Sequence, residues 1–233
     1  RTVTGNIACT DFTCDVIILD DGFQYHKLYK QIDIVVIDAS NPFGNGHLIP
    51  RGLLREPPQS LLRADIIICT HTDQVAAENV EQLKQELGKL NQNVPIFTAV
   101  HRPSALLNLG SDNSSRQTVN LDKLSGQKVL AVSGIGNPKS FEKTLTSLGC
   151  QIAGHLRFPD HHYYDQDDIE QIIKTANSKG VTLIITTQKD AVKIPDPQIQ
   201  TFTANGMGLY LLRVSLHLNQ EEAFNKYIMN EVQ

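Results

Sequence analysis

The chain has 233 residues, 40% of them hydrophobic and 20% charged, with a formal net charge of -4 at pH 7. That length accommodates one large domain or two small ones, each able to bury a core, and the mild acidity speaks against a broad basic surface for nucleic acid. No apolar run approaches the roughly 18 residues of a spanning helix. The four cysteines, Cys9, Cys14, Cys69 and Cys150, form no Cys-x-x-Cys pair and have no histidines at zinc-site spacing, so a reduced, cytosolic compartment is expected.

In chain order, Val16-Ile17-Ile18-Leu19 predicts a buried strand that ends abruptly in Asp20-Asp21-Gly22-Phe23-Gln24. Ligands of an open parallel sheet sit beyond the carboxyl ends of its strands. Two adjacent carboxylates there suit Mg²⁺, which takes hard oxygen ligands and is often held by one or two carboxylates plus phosphates. An apolar strand closing in acid is also the Walker-B-like arrangement of phosphate-transferring enzymes; a strand followed by a plain Asp-Gly turn accounts for the same residues. Residues 33–38 repeat the strand-then-Asp form. The Gly-, Pro- and Asn-rich stretch 40–58 predicts a long ordered loop, and such loops tend to be functional. Its Arg51 and Arg55 carry planar donor forks that match phosphate oxygens, while Arg55 and Glu56 read equally as surface charges flanking a turn.

Residues 64–70 predict a third strand with Cys69 as a buried thiol. Thr70-His71-Thr72-Asp73 has the spacing of a Thr-Lys-x-Asp base-reading loop with His in place of Lys, or is a simple strand-to-helix turn. Residues 76–90 place Val80, Leu83 and Leu87 at helical spacing, and residues 95–100 form a further strand. The polar stretch 110–120 has linker composition, which divides the chain into domains 1–109 and 121–233. In the second, a strand at 128–133 turns through Ser133-Gly134-Ile135-Gly136-Asn137-Pro138 into a helix at 139–148. Those glycines let backbone N–H groups approach an anion, or merely make a tight turn. A strand at 151–158 ends in Phe158-Pro159-Asp160-His161-His162, where an acid beside imidazoles suits proton transfer, a metal, or a structural cap. A helix at 165–177 follows, then a strand at 181–186 closing in Thr187-Gln188-Lys189-Asp190, whose Lys189 is a flexible cation for phosphate. A strand at 208–215 and a helix at 221–229 end the chain.

Taken together, Asp20-Asp21-Gly22-Phe23-Gln24, Pro42-Phe43-Gly44-Asn45-Gly46, Leu54-Arg55-Glu56-Pro57, Ser133 to Pro138, Phe158 to His162 and Thr186 to Asp190 resemble, in order, the tetraacyldisaccharide 4'-kinases, the lipid A kinases of bacteria with an outer membrane. The family commonly has Glu where Gln188 stands.

The resemblance implies an α/β fold: a mostly parallel, P-loop-kinase-like sheet with its N-terminal part missing, plus a second, smaller α/β domain. It implies a phosphotransferase that uses ATP and Mg²⁺ to phosphorylate the 4'-hydroxyl of a tetraacylated disaccharide 1-phosphate at the cytoplasmic face of the inner membrane. Membrane contact is expected mainly through the missing N-terminal segment, and no nucleic acid partner is expected. The chain starts at Arg1 and holds no GxxxxGK[ST] string, so it reads as a fragment lacking the family's phosphate loop and inactive alone; the rival reading is a non-catalytic two-domain nucleotide-binding or scaffold module. By analogy with Walker-B strands, Asp21 is the base, with His161 supporting it across an interdomain cleft, and Asp20 the metal-associated carboxylate, with the exchange of Asp20 and Asp21 open. Gln24, Arg51, Arg55, Glu56 and Lys189 are assigned to substrate and phosphate, and Glu56 also to the metal.

Overall fold

A computed structural model describes residues 2–12, 14–110 and 117–232. The chain divides into two compact units, Arg1–Val100 with Leu218–Gln233, and His101–His217.

In the first unit, β1 (Ile34–Asp38), β2 (Ile66–Thr70) and the start of β3 (Ile96–Asn108) are neighbours in that order, and both pairings are parallel. Every residue of β2 is buried. Its unbroken Ile-Ile-Ile-Cys-Thr run is what a parallel strand covered on both faces requires. On one face Ile67 and Cys69 pack with Leu61 and with Leu83 and Leu87 of α2 (Ala77–Leu90). On the other, Ile66, Ile68, Phe97 and Ala99 meet Phe224, Tyr227 and Ile228 of α7 (Glu221–Val232), with Phe224 edge-on to Phe97 at 5.3 Å.

The expected strand at 16–19 does not form; its residues enter no ladder, and Ile18 is 91% exposed. A strand exists only by pairing, and no described strand pairs with this run, whatever its β propensity. Preceding it is α1 (Thr2–Asp11), a helix with no apolar stripe to announce it.

In the second unit the neighbours run β6 (Gln151–Arg157), β5 (Lys128–Ser133), β7 (Leu183–Thr187), β8 (Gly208–Leu218), with each of these pairings parallel. The later part of β3 lies beside β8, and β4 (Thr118–Val119) pairs antiparallel with β3. Alternation along β5 sorts the core into two layers. Leu130 and Val132 pack with Ile169, Ile172 and Ala176 of α4 (Gln166–Ser178) and with Phe202 of α6 (Asp196–Ala204), whereas Val129 and Ala131 pack with Phe141 and Leu145 of α3 (Pro138–Ser147). Helix α4 starts in a capping box: Asp165 accepts from the N–H of Asp168, and Asp168 accepts from that of Asp165.

The division between units falls after Val100 and not in the stretch 110–120. Residues 111–116 of that stretch lie outside the described residues, and Thr118–Val119 beyond them form β4. The apolar run breaks at His101-Arg102-Pro103, yet β3 continues to Asn108, with burial that alternates over residues 101–105 before Leu106 and Leu107 are both buried, which sequence periodicity does not signal. Helix α7 belongs with the first unit, not with the segment 121–233.

Phe202 is fully buried in the larger core of the second unit. Phe202→Ala is expected to cost about 3–5 kcal/mol, read from the shift of the urea midpoint; a loss below about 1 kcal/mol would contradict this packing.

Candidate active site

Within each unit the parallel strands carry their polar motifs to their carboxyl ends. In the first, β1 ends in Asp38 and β2 in Thr70-His71. The Asp38 carboxylate accepts from the Ser40 N–H and hydroxyl at 2.9 and 2.7 Å and lies 3.2 Å from Nδ1 of His71. His71 has a left-handed backbone, φ 55°, and a short 3-10 helix, Thr72–Gln74, follows it. The stretch is therefore a strand-to-helix turn, with His71 held by an acid of the neighbouring strand.

The Asp20-Asp21-Gly22-Phe23-Gln24 turn is fixed from several sides. Lys30 donates to the Gly22 carbonyl at 2.9 Å and pairs with Asp33 at 2.7 Å. Arg63 lies over the Phe23 ring at 4.6 Å while its Nη2 binds Glu56. Asp21 is left-handed, φ 52°, and Nη1 of Arg55 reaches both its oxygens, at 2.8 and 2.7 Å. That hydrogen bond and the charge of Asp21 hold the Arg55 guanidinium above its ordinary value. Both side chains are more than half exposed, so solvent and salt screen the pair and it can open for an incoming anion. Alongside lies a hollow of about 360 Å³, lined among others by Phe23, Gln24, Asp38, Phe43, Arg55 and Glu56.

In the second unit, the ends of β5, β6 and β7 bring together Ser133-Gly134, the turn 158–162 and Thr187 to Asp190. Asp190 is fully buried, accepting from the Gly134 N–H at 3.0 Å and from the Thr187 hydroxyl at 2.6 Å. A Cβ on Gly134 would fall 2.8 Å from the Pro159 carbonyl, so only glycine lets these turns touch. His162 stacks on Phe158 at 4.8 Å and meets Asp168 at 2.6 Å, which ties it to the cap of α4. His161 is left-handed, φ 63°, with its side chain 85% exposed and 3.9 Å from Asp160. Lys189 is exposed on the short helix α5 (Gln188–Ala191).

The partners of Ser133 are invisible to motif reading. Ser133 Oγ lies 2.8 Å from Nε2 of His155, whose Nδ1 is 2.6 Å from Glu142; Arg157 also binds Glu142 at 2.6 Å. The carboxylate fixes the proton on Nδ1, leaving Nε2 to accept from the hydroxyl. This has the order of a nucleophile, base and acid, but Ser133 is fully buried and the neighbouring Gly134 N–H is taken by Asp190. The array orients the turn and attacks nothing. Burial also pushes the Tyr164 hydroxyl up, reinforced by the charge of Asp190, and pushes the Cys69 thiol to about 11, in keeping with an inert core cysteine.

Of the residues singled out from sequence, Asp21 and Arg55 are in direct contact, and Gln24 and Glu56 line the same hollow. Arg51 is exposed in its loop, and Asp20 is exposed beside Asp21. The Glu56 carboxylate is engaged by Arg63 and, at 3.4 Å, by His26. Its partial burial pulls upward, but hydrogen bonds from Arg63 and Ser60 and the charges of Arg63 and His26 bring it below its ordinary value. Among the described residues, no group of three or more His, Cys, Asp or Glu side chains could hold a metal ion by itself.

The profile of the family described as "Tetraacyldisaccharide-1-P 4'-kinase" matches residues 1–233. The chain belongs to this family. A tetraacyldisaccharide 4'-kinase of Halothermothrix orenii is 37% identical over 236 residues, covering 97% of this chain and 62% of that protein. One from Syntrophus aciditrophicus is 42% identical over 200 residues, covering 83% and 52%. The chain thus spans between about half and three fifths of the length of these curated relatives. A solved family structure from Aquifex aeolicus, described as in complex with ATP, shares the fold with a TM-score of 0.61 at 24% identity, over 98% of this chain and 61% of that one.

These matches correct two expectations. The family likeness is not confined to the motif run that starts at Asp20 but extends from residue 1. The α/β likeness covers the whole chain, α1 included. Assigning membrane contact to a missing N-terminal segment, or inactivity to its loss, is left without support. No helix among the described residues is long and apolar enough to cross a membrane.

Burial holds the His155 imidazole below its ordinary 6.5 against the pull of Glu142. The hydrogen bond from Arg157 leads in holding Glu142 below its ordinary 4.5. Both groups bind protons more readily when unfolded, so their contribution is present at neutral pH, begins to fade below pH 6.5 through His155 and fades further below 4.5 through Glu142. The urea midpoint of the second unit is expected to fall between about pH 7.5 and pH 5, and His155→Gln to shrink that fall; a midpoint that rises on acidification would contradict the assignment.

Proposed function

We propose that the protein is an ATP- and Mg²⁺-dependent kinase acting on the 4'-hydroxyl of a tetraacyldisaccharide 1-phosphate in lipid A biosynthesis, at the cytoplasmic face of the inner membrane. Family membership supports the reaction class, and the observation that carries the site is the contact of Arg55 with both oxygens of Asp21, two motifs 34 positions apart in sequence. Asp21 is the base toward the sugar hydroxyl. Arg55 holds it in the resting state and turns to phosphate oxygens when the substrate arrives, an exchange its planar fork suits. Arg51 and Lys189 add positive charge for phosphate, and Gln24 orients the substrate.

Asp20, with Glu56 as the second carboxylate assigned to it, suits a divalent ion that draws its remaining ligands from nucleotide phosphates. Asp20 is the metal-associated carboxylate; Glu56, already engaged by Arg63 and His26, lines the substrate side. When bound, Mg²⁺ supplies neutralisation of the charge between the β- and γ-phosphates. His161 supports proton removal by Asp21 in turnover. Left-handed backbone at both residues is in keeping with these roles, because such outliers gather at functional sites.

In phosphate-transfer assays, Asp21→Ala is expected to lower kcat by roughly 10²–10⁴-fold with little change in KM for ATP, since a base acts in the transition state. A severe Asp20→Ala beside a near-normal Asp21→Ala would exchange their roles. A protein that neither binds nor phosphorylates the disaccharide would sink the reading. Combining Asp21→Ala with His161→Ala is expected to lose far less than the product of the single losses; multiplying losses would leave His161 without a part in proton transfer.

A further inference from the structure

The loop from His47 to Arg55 holds apolar side chains out in solvent on a closed frame. Within it the N–H groups of Ile49 and Gly52 donate to the carbonyls of Leu54 and Leu48, both at 2.9 Å, and that of Leu54 donates to His47 at 3.1 Å. The Asn45 amide donates to the Arg51 carbonyl at 3.0 Å. A Cβ on Gly52 would fall 2.1 Å from both Asn45 Oδ1 and the His47 carbonyl, so the frame closes only with glycine there. On this frame Leu48, Ile49 and Leu53 are 44%, 63% and 76% exposed. Arg51 and Arg55 are exposed among them, and the stretch 47–55 contains no acid.

Exposed aliphatic side chains on an internally bonded loop have no inward position to retreat to, and their order is already established before any partner arrives. Three aliphatic side chains interleaved with arginines make too small a patch for a stable protein interface, which takes on the order of 800 Å² per partner. They match a shallow wedge into the headgroup boundary of a membrane, where apolar side chains enter the acyl edge and basic ones meet phosphates.

We propose that this loop docks on an anionic lipid bilayer, with Leu48, Ile49 and Leu53 entering the boundary and Arg51 meeting the headgroup phosphates. The inference rests on the reading of a lipid substrate, which such docking brings to the neighbouring Asp21 and Arg55.

Cosedimentation with vesicles tests it, using phosphatidylcholine with phosphatidylglycerol and phosphatidylcholine alone, without ATP or disaccharide. Failure here therefore leaves phosphate transfer untouched, and failure of transfer leaves this binding intact. The protein is expected to partition onto the anionic vesicles, and Ile49→Ser with Leu53→Ser to lower the partition coefficient roughly tenfold or more. Arg51→Gln is expected to lower it about fivefold on anionic vesicles and leave weak binding to the neutral ones unchanged. Because the substituted side chains are exposed, the thermal unfolding of the variants should match the parent; should the double variant fail to fold, the Arg51→Gln arm decides alone. Unchanged partitioning of the variants, or equal binding of the parent to neutral and anionic vesicles, would overturn the proposal. So would self-association in vesicle-free sedimentation that the double variant abolishes, since the occupant would then be a second copy.

Discussion

Parallel strand pairing is the constraint on which the rest depends. Strands that pair in parallel all end on the same side, so every strand-to-helix turn of a unit opens along one edge. In the first unit this sets Asp38 of β1 beside His71 after β2. In the second it sets Gly134 after β5, the turn after β6 and Asp190 after β7 close enough to bond through buried groups. The apolar runs that make parallel strands possible are also what make polar residues at their ends conspicuous, and that is why chemistry is legible there.

At three polar turns the backbone departs from regular conformations. Among the described residues, the non-glycine residues with positive φ are Asp21, His71 and His161. Asp and His tolerate the left-handed region better than most residues, but each still has to be held in it by its surroundings. For Asp21 the holding contacts can be named: Lys30 on the Gly22 carbonyl, Arg63 over Phe23, and Arg55 on the carboxylate itself. His71 has Asp38. His161, largely exposed, is turned outward from a turn whose other histidine is locked to Asp168.

Much of this was legible in the sequence, where periodicity could speak. The buried run of β2 and the apolar stripes of α2 and α4 each leave a pattern that only one local structure satisfies. Reading failed where pairing partners, not composition, decide. The Val16-Ile17-Ile18-Leu19 run looks like a strand but pairs with no described strand, while β3 continues through His101-Arg102-Pro103 because it has neighbours to pair with. The motif residues Asp21, Arg55 and His161 were recognisable as types. The contact between the first two was not, since nothing in a spacing of 34 positions reveals which charges meet. Partners such as Glu142 and His155 stayed hidden for the same reason, 13 positions apart and outside every motif.

The account stands on Arg55 and Asp21 acting as one unit, and a double-mutant cycle on kcat/KM for phosphate transfer, combining Asp21→Ala with Arg55→Ala, tests that most directly. If Arg55 positions the base and then meets the phosphate, the two losses are coupled, and the double variant is worse than the more severe single variant by much less than the product, with an interaction energy of about 1 kcal/mol or more. Losses that simply multiply would show that the ion pair has no part in the reaction and would contradict the site described here.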